Sequence, residues 1–231
     1  MQAVILAAGK GTRLAPLTNA VPKALVDLGG GRTLLEAILE QLPEEADELV
    51  FVVGHLQEQI RERFGASWSG RPIRYAVQQP LDGTGTALHA ARMMLRGTFL
   101  VVNGDDVYAA EDLERLISHP LAILVQATRE RLAHTALVSG DGRFLGLESD
   151  PPPAQPHVRV CGAYVLDERF FRYPLAAIDV RGRREYSLPH TLVELAKDAP
   201  VAAVEATRWL PVGTPEELEA ARRMRRKMVD E

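Results

Sequence analysis

Apolar residues along this chain recur in two rhythms. Up to about residue 120, short apolar runs rich in β-branched residues alternate with stretches whose apolar positions return at helical spacing. The runs are Val4–Leu6, Leu49–Val53, Ile73–Val77 and Phe99–Val102, each predicted as a strand buried on both faces. Between them, Thr33–Leu42, His55–Phe64 and Thr84–Leu95 carry the helical spacing. Pro43, Gly65 and Gly97 punctuate their ends, as helix stops should. Strands separated by helices of this length predict βαβ units and a mainly parallel sheet.

From Leu121 the rhythm shortens. Ala122–Gln126, Thr135–Ser139, Phe144–Glu148 and Val158–Leu166 read as strands joined by short polar turns. Helical spacing returns at Leu188–Lys197, Val201–Ala206 reads as a further strand, and Thr214 opens the last helix. There Thr214 takes the cap position, Pro215 the first helical position, and Glu217 stands three after the cap. Pro151–Pro153 is a stiff surface loop. No repeat, low-complexity linker or domain boundary interrupts the chain. The expectation is one domain over 1–231, with 1–120 as one half and 121–231 laid against it.

The first run ends abruptly in small residues, Ala7-Ala8-Gly9-Lys10-Gly11-Thr12. Gly9 and Gly11 can take backbone angles closed to other residues, and the alanines present nothing to block a ligand. Successive backbone N–H groups in such a turn form a nest that attracts anions. Arg13 adds a planar cationic fork and Lys23 a compact point charge. A phosphate-rich ligand is the expected partner. Two familiar glycine loops do not match. The P-loop requires Lys-Ser/Thr after its last glycine, where this chain has Thr12-Arg13, and the dinucleotide fingerprint requires a third glycine where Leu14 stands.

Two more strand ends carry chemistry. Gln78 to Ala87 (QQPLDGTGTA) follows the third run, and a glutamine amide there offers one donor and one acceptor to the edge of a base. The fourth run ends in Asn103-Gly104-Asp105-Asp106, and a carboxylate at the end of a parallel strand suits Mg²⁺ together with phosphate oxygens.

The opening stretch resembles the signature of sugar-1-phosphate nucleotidyltransferases, L-A-x-G-x-G-T-R-L-x-P-L-T-x-x-x-P-K, which stands ungapped at Leu6 to Lys23. The resemblance continues to about Leu218. It implies a single-domain α/β fold, a Rossmann-like mixed, mainly parallel sheet flanked by helices. It also implies a reaction in which a nucleoside triphosphate and a sugar 1-phosphate give a nucleotide-sugar and pyrophosphate. On that pattern Leu6, Ala7, Ala8, Gly9, Gly11 and Thr12 hold the nucleotide, with Arg13 on the departing pyrophosphate and Lys23 on the α-phosphate. Gln78, with Gly83 and Thr84, reads the base, which favours UTP or dTTP. Asp105 binds the Mg²⁺ cofactor. Gly162 and Tyr164 match a strand near the sugar, and Glu185 matches a glutamate that meets its hydroxyls. For these three, an ordinary core strand and helix start read equally well.

Two departures stand out. In Trp209-Leu210-Pro211-Val212-Gly213-Thr214-Pro215 the family's second metal-binding Asp is Pro211, which has no side-chain oxygen. Where the family has the lysine that grips the sugar phosphate, this chain reads Glu148-Ser149-Asp150-Pro151 and has no lysine between Lys23 and Lys197. Arg143 and Arg159 are the substitutes open on the sequence. A regulatory or assembly subunit that binds nucleotide or nucleotide-sugar is therefore the competing reading. Groups that form cytidylyl or guanylyl products share the loop without the Pro16–Thr18 extension, and rank below.

Composition narrows the partners. A net charge of −4 over 231 residues argues against a dedicated nucleic-acid binder, and Arg222–Lys227 lies where positive charge suits a helix C-terminus. Cys161 is the single cysteine, so no internal disulfide forms and a reducing compartment, the cytoplasm, is expected. The N-terminus does not read as a signal peptide, and no apolar run approaches membrane-spanning length. The expected partners are the two substrates, with no membrane and a homo-oligomer left open.

Overall fold

A computed structural model describes residues 1–152, 156–180 and 182–230, without the side chains of 226–230. Part of the proline loop (Pro153) and the end of the basic run (Arg226 and Lys227 side chains) lie outside the described residues. The first half runs β1 (Gln2–Leu6), α1 (Leu34–Leu39), β2 (Glu48–Val53), α2 (Gln57–Phe64), β3 (Ser67–Trp68), β4 (Arg71–Val77), α3 (Thr84–Ala90), β5 (Thr98–Asn103), β6 (Asp106–Tyr108) and α4 (Ala110–Ile117). The second half runs β7 (Ala122–Thr128), β8 (His134–Val138), β9 (Phe144–Ser149), β10 (His157–Asp167), β11 (Ala176–Val180) and β12 (Arg183–Ser187). It closes with α5 (Leu188–Asp198), β13 (Ala202–Glu205), β14 (Trp209–Pro211) and α6 (Pro215–Asp230).

Eight strands form one sheet in the order β13-β7-β10-β5-β1-β2-β4-β3. β1 pairs in parallel with β2 and β5, β2 with β4, and β7 with β13, while β10 runs antiparallel between β5 and β7. The expected mixed, mainly parallel sheet is thus present, and the second half extends it directly through β10. Alternation along the central strands explains the continuous apolar runs. Ala3 and Ile5 join one core cluster with Leu49, Phe51 and Val53, whereas Val4 joins the other with Val50 and Val52. α1, α2, α4 and α6 cover the first face, and α3 and α5 the second. Burying each large side chain contributes about 1.5–3 kcal/mol, so both faces must be covered.

Local signals fix several boundaries. Thr33 caps α1 in a closed box: its Oγ1 accepts from Glu36 N at 3.2 Å, and Glu36 Oε2 accepts from Thr33 N at 2.8 Å. At α6, Thr214 Oγ1 accepts from Glu217 N at 3.3 Å, and Glu217 Oε2 accepts from Thr214 N at 2.9 Å. The helix expected over Thr84–Leu95 ends instead at Ala90, followed by a 3₁₀ turn over Arg92–Met94.

The spacing of apolar residues did not indicate α4 or the β11–β12 hairpin. In α4 the buried face includes a carboxylate, Asp112, which accepts from Thr207 N, Arg208 N, Thr207 Oγ1 and Arg115 Nη2 at 2.6–3.1 Å. Burial pushes that carboxyl up, but the four donors outweigh it and hold it below the ordinary carboxylate value. β11 is mostly apolar in sequence but no more than half-buried, and β12 opens with charged residues, so the hairpin lacks the long buried run of the other strands.

Candidate active site

The carboxyl ends of β1, β4 and β5 open onto one cavity of about 600 Å³. Its floor is the loop after β1. Leu6, Ala7, Ala8, Gly9, Lys10, Gly11 and Thr12 all line it. Gly11 turns the chain in the left-handed region at φ 63°, and a Cβ there would press on Lys23 and Thr18 at 3.0 Å. Thr18 Oγ1 donates to Gly11 O at 2.8 Å, which pins the turn. The Pro-Leu-Thr extension therefore braces the phosphate-type loop from behind.

Lys23 and Asp105 meet on one wall. Lys23 Nζ donates to Asp105 Oδ2 at 2.6 Å; the lysine side chain is 10% exposed and the aspartate 39%. Asp106 points the other way and does not line the cavity. Its Oδ2 accepts from Asn103 Nδ2 at 3.2 Å and lies 3.4 Å from Tyr108 Oη, and burial, followed by the charge of Asp105, pushes its carboxyl well up. The sequence Asp105-Asp106 thus separates into one cavity carboxylate and one buried acid.

Opposite, Gln78, Gly83, Thr84 and Glu185 line the cavity as well. Gln78 Nε2 donates to Gly83 O at 2.8 Å and Thr86 Oγ1 at 3.0 Å. Its amide donors are therefore engaged within the loop, and only its oxygen faces outward as an acceptor. This departs from the expectation of a free donor and acceptor together. Gly83 stands at φ 121° with the Tyr186 backbone directly against it, so the loop is clamped to β12.

Three residues matched from the sequence lie outside the lining. Arg13 is exposed, and its guanidinium rests at Gly213, where a Cβ would come within 2.5 Å of Nη2. Gly162 packs beneath Asn103 and Asp106, and its carbonyl accepts from Tyr108 Oη at 3.1 Å. Tyr164 is 3% exposed in the core, where burial and then the charge of Asp106 push its phenol up. Neither proposed substitute for the missing lysine reaches the cavity: Arg143 pairs with Asp141, and Arg159 pairs with Glu130 above the Trp209 ring. Arg183, on the hairpin that the apolar pattern did not reveal, does line it. Its sequence signal was a charge within Arg183-Arg184-Glu185, two residues before the matched glutamate.

Pro211 is the residue that the resemblance sets in the place of a second carboxylate. It pairs with Asp106 across β14–β6, and Val212 N donates to Asp105 O at 2.9 Å. Among the described residues no cluster of three or more His, Cys, Asp or Glu side chains is placed to hold a metal. The donor set accordingly fits a divalent ion that meets one protein carboxylate, Asp105, and takes its remaining oxygens from phosphates and water.

A glycine-rich loop, a Lys–Asp pair and a glutamine thus gather around one cavity at the ends of parallel strands. The family model described as nucleotidyl transferase matches residues 2–227, and the chain belongs to that family. It is 30% identical over 219 residues to the bifunctional protein GlmU of Methanocaldococcus jannaschii, covering 93% of this chain and 52% of that one. The chain thus spans about half the length of the GlmU relatives it matches. It is also 28% identical over 231 residues to AglF of Haloferax volcanii, a UTP–glucose-1-phosphate uridylyltransferase, covering 96% of this chain and 95% of that one. A solved structure of UDP-glucose pyrophosphorylase complexed with UDP-glucose superposes with a TM-score of 0.81 over 98% of both chains at 17% identity, a likeness of fold. No helix among the described residues is long and apolar enough to cross a membrane.

Proposed function

We propose that this cavity joins a nucleoside triphosphate, UTP or dTTP by preference, to a sugar 1-phosphate. The observation that carries the reading is the Lys23–Asp105 pair set at the mouth of the glycine loop, opposite Gln78. A phosphate oxygen of the sugar 1-phosphate attacks the α-phosphorus of the nucleotide. The new P–O bond forms as the bond to the β-phosphate oxygen breaks, and pyrophosphate leaves with the electron pair. The attacking oxygen is already anionic, so no general base is needed. Catalysis then rests on alignment and on neutralising charge.

In this reading the loop from Leu6 to Thr12 cradles the phosphates with backbone N–H groups, and Lys23 leaves Asp105 to steady the α-phosphate. Arg13 turns from Gly213 to the departing pyrophosphate. Gln78 accepts from the base, Glu185 meets the sugar hydroxyls, and Arg183 holds the phosphate of the sugar 1-phosphate. Asp105 would hold Mg²⁺, which supplies charge neutralisation between the two phosphate groups. The name of the AglF relative supports a uridylyl product.

Pro211 favours a second reading, a subunit that binds nucleotide without turning it over. A pyrophosphate-release screen separates the two, with UTP, dTTP, CTP, GTP and ATP each paired with several sugar 1-phosphates. Release with a pyrimidine nucleotide supports the enzyme. Nucleotide binding without release from any pair supports the subunit.

A further inference from the structure

Asp82 and Thr86 form a relay that ends on Gln78. Thr86 Oγ1 donates to Asp82 Oδ1 at 2.6 Å and lies 3.0 Å from Gly83 O. A hydroxyl has one proton, and the short contact to a carboxylate takes it. What Thr86 offers Gln78 is therefore a lone pair, which Nε2 meets at 3.0 Å. The second partner of Nε2, the Gly83 carbonyl at 2.8 Å, is also an acceptor and can never donate. Turning the amide over would set Oε1 against two acceptors at once.

We infer that Asp82 and Thr86 are positioning residues that lock the Gln78 amide with its oxygen toward the ligand, so that the site selects bases with a ring N–H and rejects cytosine. The inference rests on the reading of this cavity as a nucleotide site. Uracil and thymine carry a hydrogen on N3, which Oε1 can accept. Cytosine has a lone pair at N3, and an oxygen held against it is repelled. Guanine also has a ring N–H, but its two rings would need more room than a pyrimidine. The lock is rigid because the loop is tied to β12 and the start of α5: Tyr186 N donates to Asp82 O at 2.7 Å, and Thr84 Oγ1 accepts from Leu188 N at 3.0 Å.

The test measures dissociation constants of UTP and CTP for the full chain, and kcat/KM for both with any sugar 1-phosphate that is turned over. The native protein should prefer UTP over CTP by at least about tenfold, the scale of one mismatched hydrogen-bonding edge. Thr86→Val removes one of the two acceptors and should shrink that ratio about three- to tenfold. Thr86→Ser should restore it. Asp82→Ala frees the hydroxyl proton and should shrink the ratio by a smaller factor. In a Gln78→Ala background, Thr86→Val should change the ratio no further, because the residue acts through Gln78.

Equal affinity of the native protein for UTP and CTP would overturn the inference. So would an unchanged ratio in Thr86→Val, a loss shared equally by both nucleotides, or failure of Thr86→Ser to restore it. If Thr86→Val does not fold, an unchanged ratio in Asp82→Ala overturns it instead. UTP binding without pyrophosphate release from any pair would sink the proposed reaction, and the binding ratio would still decide the relay. Absence of binding by any nucleotide would sink both.

Discussion

Asp105→Asn should move nucleotide binding and turnover in opposite directions. In the ligand-free protein Asp105 holds the ammonium of Lys23 at 2.6 Å, the same charge that an incoming phosphate needs. Binding a bare nucleotide therefore breaks a charge-assisted hydrogen bond and brings phosphates toward a carboxylate. A charge-assisted bond of this kind contributes about 1.5–3 kcal/mol, while an exposed ion pair contributes under about 1. With the lysine nearly buried but the aspartate 39% exposed, solvent screening lowers the figure to about 1 kcal/mol. At 1.4 kcal/mol per tenfold, releasing that competition tightens metal-free UTP about fivefold. Calorimetric titration in EDTA at low salt should show it. The same variant assayed with Mg²⁺ and an active sugar 1-phosphate should lose turnover by roughly 10² or more, the scale of losing preorganised charge at a transition state. Weaker UTP binding in EDTA, or turnover within a few-fold of native, would refute the argument that Asp105 is held by Lys23 until the ligand arrives.

Arg13→Ala should also lower turnover by roughly 10²; retention within a few-fold would leave Arg13 as a contact of the Gly213 corner alone. Arg183→Gln should raise the KM for sugar 1-phosphate about tenfold, the loss of one guanidinium–phosphate bond, with UTP affinity measured alone unchanged. A KM that stays put would remove Arg183 from the sugar-phosphate side. His190 is held below the ordinary histidine value, first by burial and then by the charge of His134, while its Nδ1 meets Ser187 Oγ at 2.7 Å. The unfolded chain therefore takes up a proton before the folded one does, so stability falls as pH drops below about 6.5 toward the lower folded value. Urea midpoints at pH 7.5 and 5.5 should separate less in His190→Gln than in the native protein, and equal separation would count against it.

The nucleotide side was legible because its signals are local. A loop that approaches phosphates must be small, and Ala7 to Gly11 say so in consecutive letters. Parallel strands buried on both faces must be apolar along their interior, and Ala3–Leu6, Leu49–Val53 and Phe99–Val102 are. What the sequence hid is what depends on pairing between distant segments. In the β11–β12 hairpin, β11 is mostly apolar yet no more than half-buried and β12 opens with charges, and Ile178, Arg183 and Glu185 line a wet cavity. Arg183 therefore went unnoticed beside Arg143 and Arg159, which turn out to serve surface ion pairs. Tyr164 illustrates the converse. A match in type and position gave it a sugar-side role, but β10 faces alternately up and down, and its ring falls in the core.

The departures from the family pattern are unevenly placed, and that placement bears on what to test first. Every residue matched to the nucleotide except Arg13 lines one cavity, and the loop, Lys23, Asp105 and Gln78 stand together there. The missing lysine belongs to the side assigned to the sugar phosphate, as do Gly162 and Tyr164, which match the pattern yet lie outside the lining; Pro211 is the other departure, and Arg183 is the one arginine in the lining among the described residues. A nucleotide wall that keeps the pattern in its loop, Lys23, Asp105 and Gln78 constrains the base and the α-phosphate chemistry, because in-line transfer tolerates little misplacement. A rebuilt second wall changes which phosphate is presented to it. On the proposed reading, the identity of the acceptor is then the variable, and a screen should range widely over sugar 1-phosphates while holding to UTP and dTTP. If Arg183 serves in place of the missing lysine, as proposed, its guanidinium grips phosphate as a planar fork and asks for a different approach from a point charge. If a broad acceptor screen with UTP yields nothing while CTP or GTP reacts with a common acceptor, the nucleotide wall has been misread, and Gln78 with it.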